Sequence, residues 1–114
     1  MFGKITLIIA VLLLATSVYA GFKGPGTIPK VETVQSISNL HDDRNVTLEG
    51  YLIKKIKSEH YLFKDGTGEI EVEIDDEDFR GKQVTPQTRI RIIGEVDKDN
   101  NTITIDADYL EVLK

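Results

Sequence analysis

Residues 60–74 read His60-Tyr61-Leu62-Phe63-Lys64-Asp65-Gly66-Thr67-Gly68-Glu69-Ile70-Glu71-Val72-Glu73-Ile74. The turn-forming Asp-Gly-Thr-Gly separates two segments that alternate apolar and polar residues, the pattern of two half-buried strands joined as a hairpin. The turn sets a register with Phe63 opposite Ile70 and Tyr61 opposite Val72, all four facing a core. The outer face then carries Lys64 with Glu69, Leu62 with Glu71 and His60 with Glu73. A slip of one residue would turn Ile70 and Val72 to solvent, so burial specifies this register.

The same period extends outward. Val46, Leu48, Gly50 and Leu52 alternate with Thr47, Glu49 and Tyr51, until Ile53 and Ile56 break the pattern. A bend or bulge is therefore expected near Gly50. Residues 88–96 and 102–112 predict two more strands around a tip at 97–101. Pairing Val96 with Ile103 places Gly94 opposite Ile105, Ile92 opposite Ala107 and Arg91 opposite Asp108. Upstream, Val34, Ile37 and Leu40 recur every third residue behind Thr33, which predicts a short capped helix over 33–40. Residues 76–81 predict an acidic turn or helical piece carrying Phe79. One short helix and five strands in a small chain predict an all-β barrel, because an open sheet would leave an apolar face exposed.

The chain has 114 residues, 19 acidic against 14 basic side chains, a formal charge of -5 and no cysteine. One domain is expected at this length. An acidic balance argues against a general binder of phosphate backbones. Without cysteine there is no disulfide, thiolate zinc site or Cys nucleophile. Residues 1–20 start with Lys4, continue as an apolar run and end in small residues, the pattern of a secretory signal peptide. Cleavage is expected between Ala20 and Gly21, and 5–20 is short of the roughly 20 residues that span a bilayer. Removal of 1–20 leaves 94 residues with charge -6 and no stable membrane anchor. Residues 21–32, rich in glycine and proline, read as a flexible or extended arm, and 33–114 as the folded domain.

Taken in order, several motifs resemble the bacterial OB-fold (BOF) family of the YgiW/YdeI type. They are the leader, Gly-Phe-Lys-Gly-Pro-Gly at 21–26, Val46-Thr47-Leu48 with Gly50, the Tyr61–Gly68 turn and Gly94-Glu95-Val96-Asp97-Lys98-Asp99. The resemblance implies a five-stranded Greek-key OB barrel, a periplasmic location and a role in envelope stress tolerance. It supplies no catalytic residues and no cofactor, so a non-enzymatic binding module is expected.

An OB barrel ordinarily binds on the outer face of its second and third strands and the adjoining loops. The candidate ligand residues are therefore His60, Leu62, Lys64, Glu69, Glu71 and Glu73, with Lys57 in the loop. Their acidity suits a cationic peptide, a metal ion or an envelope component, an unidentified partner in each case. A single-stranded nucleic acid is the alternative, opposed by the charge and by inward-facing Tyr61 and Phe63. The bland explanation of the same acids is a solvated face that blocks aggregation. Asp97, Asp99, Asn101 and Asp108 have part of the spacing of a calcium loop. Thr102 stands where that loop needs glycine, so a hairpin tip is the simpler reading. Asp75-Asp76-Glu77-Asp78 reads as a helix-start cluster. Lys54, Lys55, Lys57 and Lys64 form the one basic concentration. His41 and His60, the two histidines, have no nucleophile motif beside them.

Overall fold

The computed structural model describes residues 30–114. The leader, the Ala20–Gly21 cleavage point and most of the arm lie outside the described residues. The strands are β1 (Val31–Glu32), β2 (Asn45–Lys57), β3 (His60–Asp65), β4 (Gly68–Ile74), β5 (Ile90–Asp99) and β6 (Thr102–Val112). They run in the order β1-β2-β3-β4-β6-β5, and β2 also pairs with β5, so the five long strands close into a barrel. The last residues of the arm form β1, which lies parallel to β2 at Thr47 and Leu48. The β4–β6 contact is also parallel. Parallel neighbours need a long crossover, and here β5 and the connection before it supply it.

The interior is aliphatic apart from Phe63, which is fully buried with Leu48, Val72, Ile74, Ile90, Ile92, Val96, Ile105 and Leu110. Each such side chain contributes about 1.5–3 kcal/mol on leaving water. β2 serves two neighbours, β5 through Asn45–Gly50 and β3 from Tyr51 onward. The switch falls at Gly50, where a Cβ would collide with the Lys64 carbonyl oxygen and sit 2.9 Å from Phe63 Cζ. The expected bend at Gly50 is thus a close crossing of chains. The bulges come later in β2, at Ile53 and Ile56. There the alternation fails in the sequence because an extra residue shifts the face presented.

Two short helical segments close the ends. Val34–Asn39 is a 3-10 helix rather than an α-helix, and apolar spacing of three suits its three residues per turn. Thr33 and Ser36 cap it reciprocally, with Ser36 N donating to Thr33 Oγ1 at 3.2 Å and Thr33 N to Ser36 Oγ at 3.3 Å. The hairpin turn holds this plug in place. Asp65 Oδ2 accepts from Val34 N at 2.9 Å, and Oδ1 accepts from Thr67 N at 2.7 Å and Gly68 N at 3.2 Å. Burial pushes the Asp65 carboxyl up, but hydrogen bonds from Thr67, Val34 and Gly68 outweigh it and hold the group below the usual range. The second segment, Asp76–Phe79, has its acids in the first turn. Its Phe79 packs edge-on against Tyr61, with ring centroids 5.7 Å apart.

The first hairpin has the register read from the sequence at every pair from His60–Glu73 to Lys64–Glu69. The last hairpin does not. Its strands run on to Asp99 and Thr102, so the tip is only Asn100 and Asn101, and Val96 faces Ile105 instead of Ile103. Asn100 takes a positive φ of 57°, a conformation asparagine tolerates better than most residues. The shift of two residues keeps the side chains up to Ala107 on their expected faces, because the strand period is also two. A bulge follows at Asp108, which lies between the Gly94–Ala107 and Ile93–Tyr109 pairs. Arg91 consequently faces Glu111, and the expected Arg91–Asp108 pair does not form.

Candidate functional site

The outer surface of β3, β4 and β6 collects the residues named from the sequence. Rows across the strands read Lys57–His60–Glu73–Asp106–Glu95 and Lys54–Leu62–Glu71–Thr104–Asp97. Charge therefore changes sign across the barrel, basic at β2 and acidic from β4 to β5. Lys57, Lys64 and Glu69 are exposed, while His60, Leu62, Glu71 and Glu73 are half-buried. His60 Nδ1 donates to Glu71 Oε2 at 2.6 Å, diagonally across the hairpin rather than to its register partner Glu73. Lys64 and Glu69 are neighbours but form no ion pair.

A shallow cleft of about 510 Å³ opens where this surface meets the first plug. It is lined by Leu62, Glu69 and Glu71, by Val34, Ile37, Ile70 and Ile103, and by Ser38 and Asn101. The β5–β6 tip thus contributes one side chain, Asn101, to the cleft. Asp97, Asp99 and Asp108 do not converge on it. Asp108 sits at the level of Gly94 on the ladder, roughly 17 Å from Asp99 at about 3.4 Å per residue. The calcium-loop spacing is therefore not a ligand set.

A different acidic group does converge, and the sequence reading missed it. Carboxylate oxygens of Glu59, Glu73 and Asp75 all lie within 4.8 Å of one another, and among the described residues no other such group of three occurs. Glu59 occupies the β2–β3 turn with φ at 62°, a left-handed conformation costly for a residue with a Cβ. Two hydrogen bonds hold it there. Its carbonyl accepts from Ile74 N at 2.8 Å, and its Oε2 accepts from Asp76 N at 2.9 Å. The turn is thereby tied to the end of β4, where Glu73 is in the strand and Asp75 directly follows it. Asp106, beside Glu73, is held above the usual carboxylate range by partial desolvation and by the charges of Asp108, Asp75, Asp97 and Asp78. Among the described residues, no ion pair reaches any of these five aspartates.

Neither histidine meets a nucleophile. His60 is engaged by Glu71, and His41 Nδ1 bonds the Asp42 carbonyl at 3.0 Å. Phe63 is buried and Tyr61 half-buried at the barrel end, so neither offers an open ring on the β3–β4 face for base stacking.

The family model described as bacterial OB fold (BOF) protein matches residues 14–112. The chain belongs to the BOF family. A BOF relative, the "Calcium-regulated OB-fold protein CarO" of Pseudomonas aeruginosa, is 42% identical over 109 residues, covering 95% of this chain and 94% of that protein. "Protein YgiW" of Escherichia coli K12 is 45% identical over 120 residues, covering 91% and 92%. The solved structure of E. coli ygiW superposes with a TM-score of 0.73 at 41% identity, spanning 83% of this chain and all of that one. The OB barrel read from the 60–74 hairpin is therefore the architecture of this BOF chain.

Proposed function

We propose that this BOF protein is an exported, non-enzymatic binding module that serves envelope stress tolerance by recruiting a cationic ligand to its acidic face. The convergence of Glu59, Glu73 and Asp75 carries the reading. Three carboxylates beside a repelled Asp106 favour a divalent cation or a clustered positive charge. The word "calcium" in the name of the P. aeruginosa relative makes Ca²⁺ the first ion to try. Export rests on the leader pattern at 1–20.

Calorimetric titration with Ca²⁺, and separately with an oligolysine peptide, tests the site. Changing Glu59 and Glu73 to Gln and Asp75 to Asn is expected to weaken binding by about tenfold or more while circular dichroism stays unchanged. Equal affinity in the folded variant would remove the reading. N-terminal sequencing of protein from a periplasmic fraction tests export, and a start at Gly21 is the expected result.

A further inference from the structure

A second surface lies along the edge of β2 opposite β3. β5 pairs with β2 only as far as Gly50, so from Tyr51 onward β2 has β3 on one edge and, among the described residues, no strand on the other. No backbone hydrogen bond from residues 82–86 reaches that edge. Two clefts, of about 550 and 520 Å³, run along it and share Ile53 and Pro86. The four lysines on their walls are Lys54, Lys55, Lys64 and Lys82. The sole acid is Asp65, whose oxygens are already taken up by Val34, Thr67 and Gly68. The floor is apolar and aromatic, from Leu52, Ile53, Tyr61, Phe79 and Val84.

We propose that this groove is a docking site for an extended acidic peptide segment of a partner protein, which adds a strand to the free edge of β2. An unpaired edge supplies main-chain donors and acceptors in register, and alternate side chains of an added strand can enter flanking pockets. The lysines select the sign of charge, because a strand bearing Glu or Asp on its solvent face meets a lining with four lysines, while the acids Glu59 and Asp76 come near only at its Tyr61 end. The bulges at Ile53 and Ile56 bend the edge. Bulges and lysines also protect edges from indiscriminate pairing, so a short, charged segment fits better than a long flat one. The groove lining shares no residue with the Glu59, Glu73 and Asp75 group, so the proposal stands whether or not that group binds cations.

The probe is a fluorescein-labelled peptide of alternating glutamate and valine, with fluorescence anisotropy for affinity and amide chemical shifts for location. Shifts at 51–56 and 82–86 are expected. Binding should fall by about tenfold or more in Lys54→Glu/Lys82→Glu, and equally with a peptide N-methylated on alternate amides. Lys82→Ala, a change in an exposed loop, should weaken binding about threefold and covers the case in which the double variant misfolds. The proposal fails if no binding appears up to about 1 mM peptide. It also fails if N-methylation has no effect, if free glutamate competes as well as the peptide, or if the shifts fall on β4 and β6.

Discussion

Glu49 and Asp106 both point outward from the same barrel, yet their surroundings are opposite. Glu49 sits between two arginines, accepting from Arg89 Nη2 at 3.0 Å and Arg91 Nε at 2.9 Å. Arg91 reaches on to Glu111 at 3.0 Å, so β2, β5 and β6 are laced by alternating charges. The hydrogen bond that Arg91 donates to Glu49 is the leading reason its guanidinium is held still more firmly protonated than usual. Asp106 has Glu73 on one side and Glu95 on the other, three acids in a row. Like charges directly opposite oppose pairing. One side of the barrel uses charge to hold strands together. The other carries charge that works against folding, as functional surfaces commonly do.

The largest blow to this contrast is Gly94→Ala. A Cβ there would collide with the Asp106 carbonyl oxygen and come within 2.7 Å of Ala107 Cα. Backbone cannot yield as a side-chain tip can, so chemical unfolding should show a loss of about 3 kcal/mol. The acidic row should be displaced first. Next is Arg91→Ala, which leaves Glu49, with only 16% of its side chain exposed, to Arg89 alone. A loss of about 2 kcal/mol is expected for a carboxylate so poorly compensated, and an equal change at Asp106 should cost nothing.

The smallest effect sharpens the contrast most, because it has a sign. The folded Asp106 binds its proton more tightly than the unfolded chain, where the usual value is 3.8. Stability contributed there is present below that value and lost as pH rises through the higher folded one. Asp106→Asn should therefore raise stability at neutral pH, by under about 1 kcal/mol because solvent screens an exposed group. The gain should vanish on acidification. Asp65 is shifted downward, so Asp65→Asn should lose about 1 kcal/mol at neutral pH, and the loss should shrink as pH falls through the lower folded value. Urea unfolding of both variants across pH reads the two signs; the same sign in both would break the comparison.

The candidate site was legible to different depths. His60, Leu62, Glu69, Glu71 and Glu73 were readable on one outer face because a tight turn fixes their hairpin locally. Glu59 was readable only as a turn residue, since its approach to Glu73 and Asp75 follows from a positive φ and a bond to Asp76. Asp108 was placed opposite Arg91 by counting back from an overlong tip, and no periodic signal marks the bulge that removes it. The basic groove escaped for a similar reason. Lys82 and Pro86 lie in a connection without period, brought beside β2 only when the barrel closes.

The sequence by itself determined the five long strands, their inward and outward faces as far as Ala107 and the first hairpin, because alternation and turn chemistry act over a few residues. The tertiary structure alone decided the parallel β4–β6 contact, the β2–β5 closure and the bulge at Asp108. Those depend on which distant strands can share one core, and closure is what sets acids from four segments side by side on one face and lysines around an open edge on another.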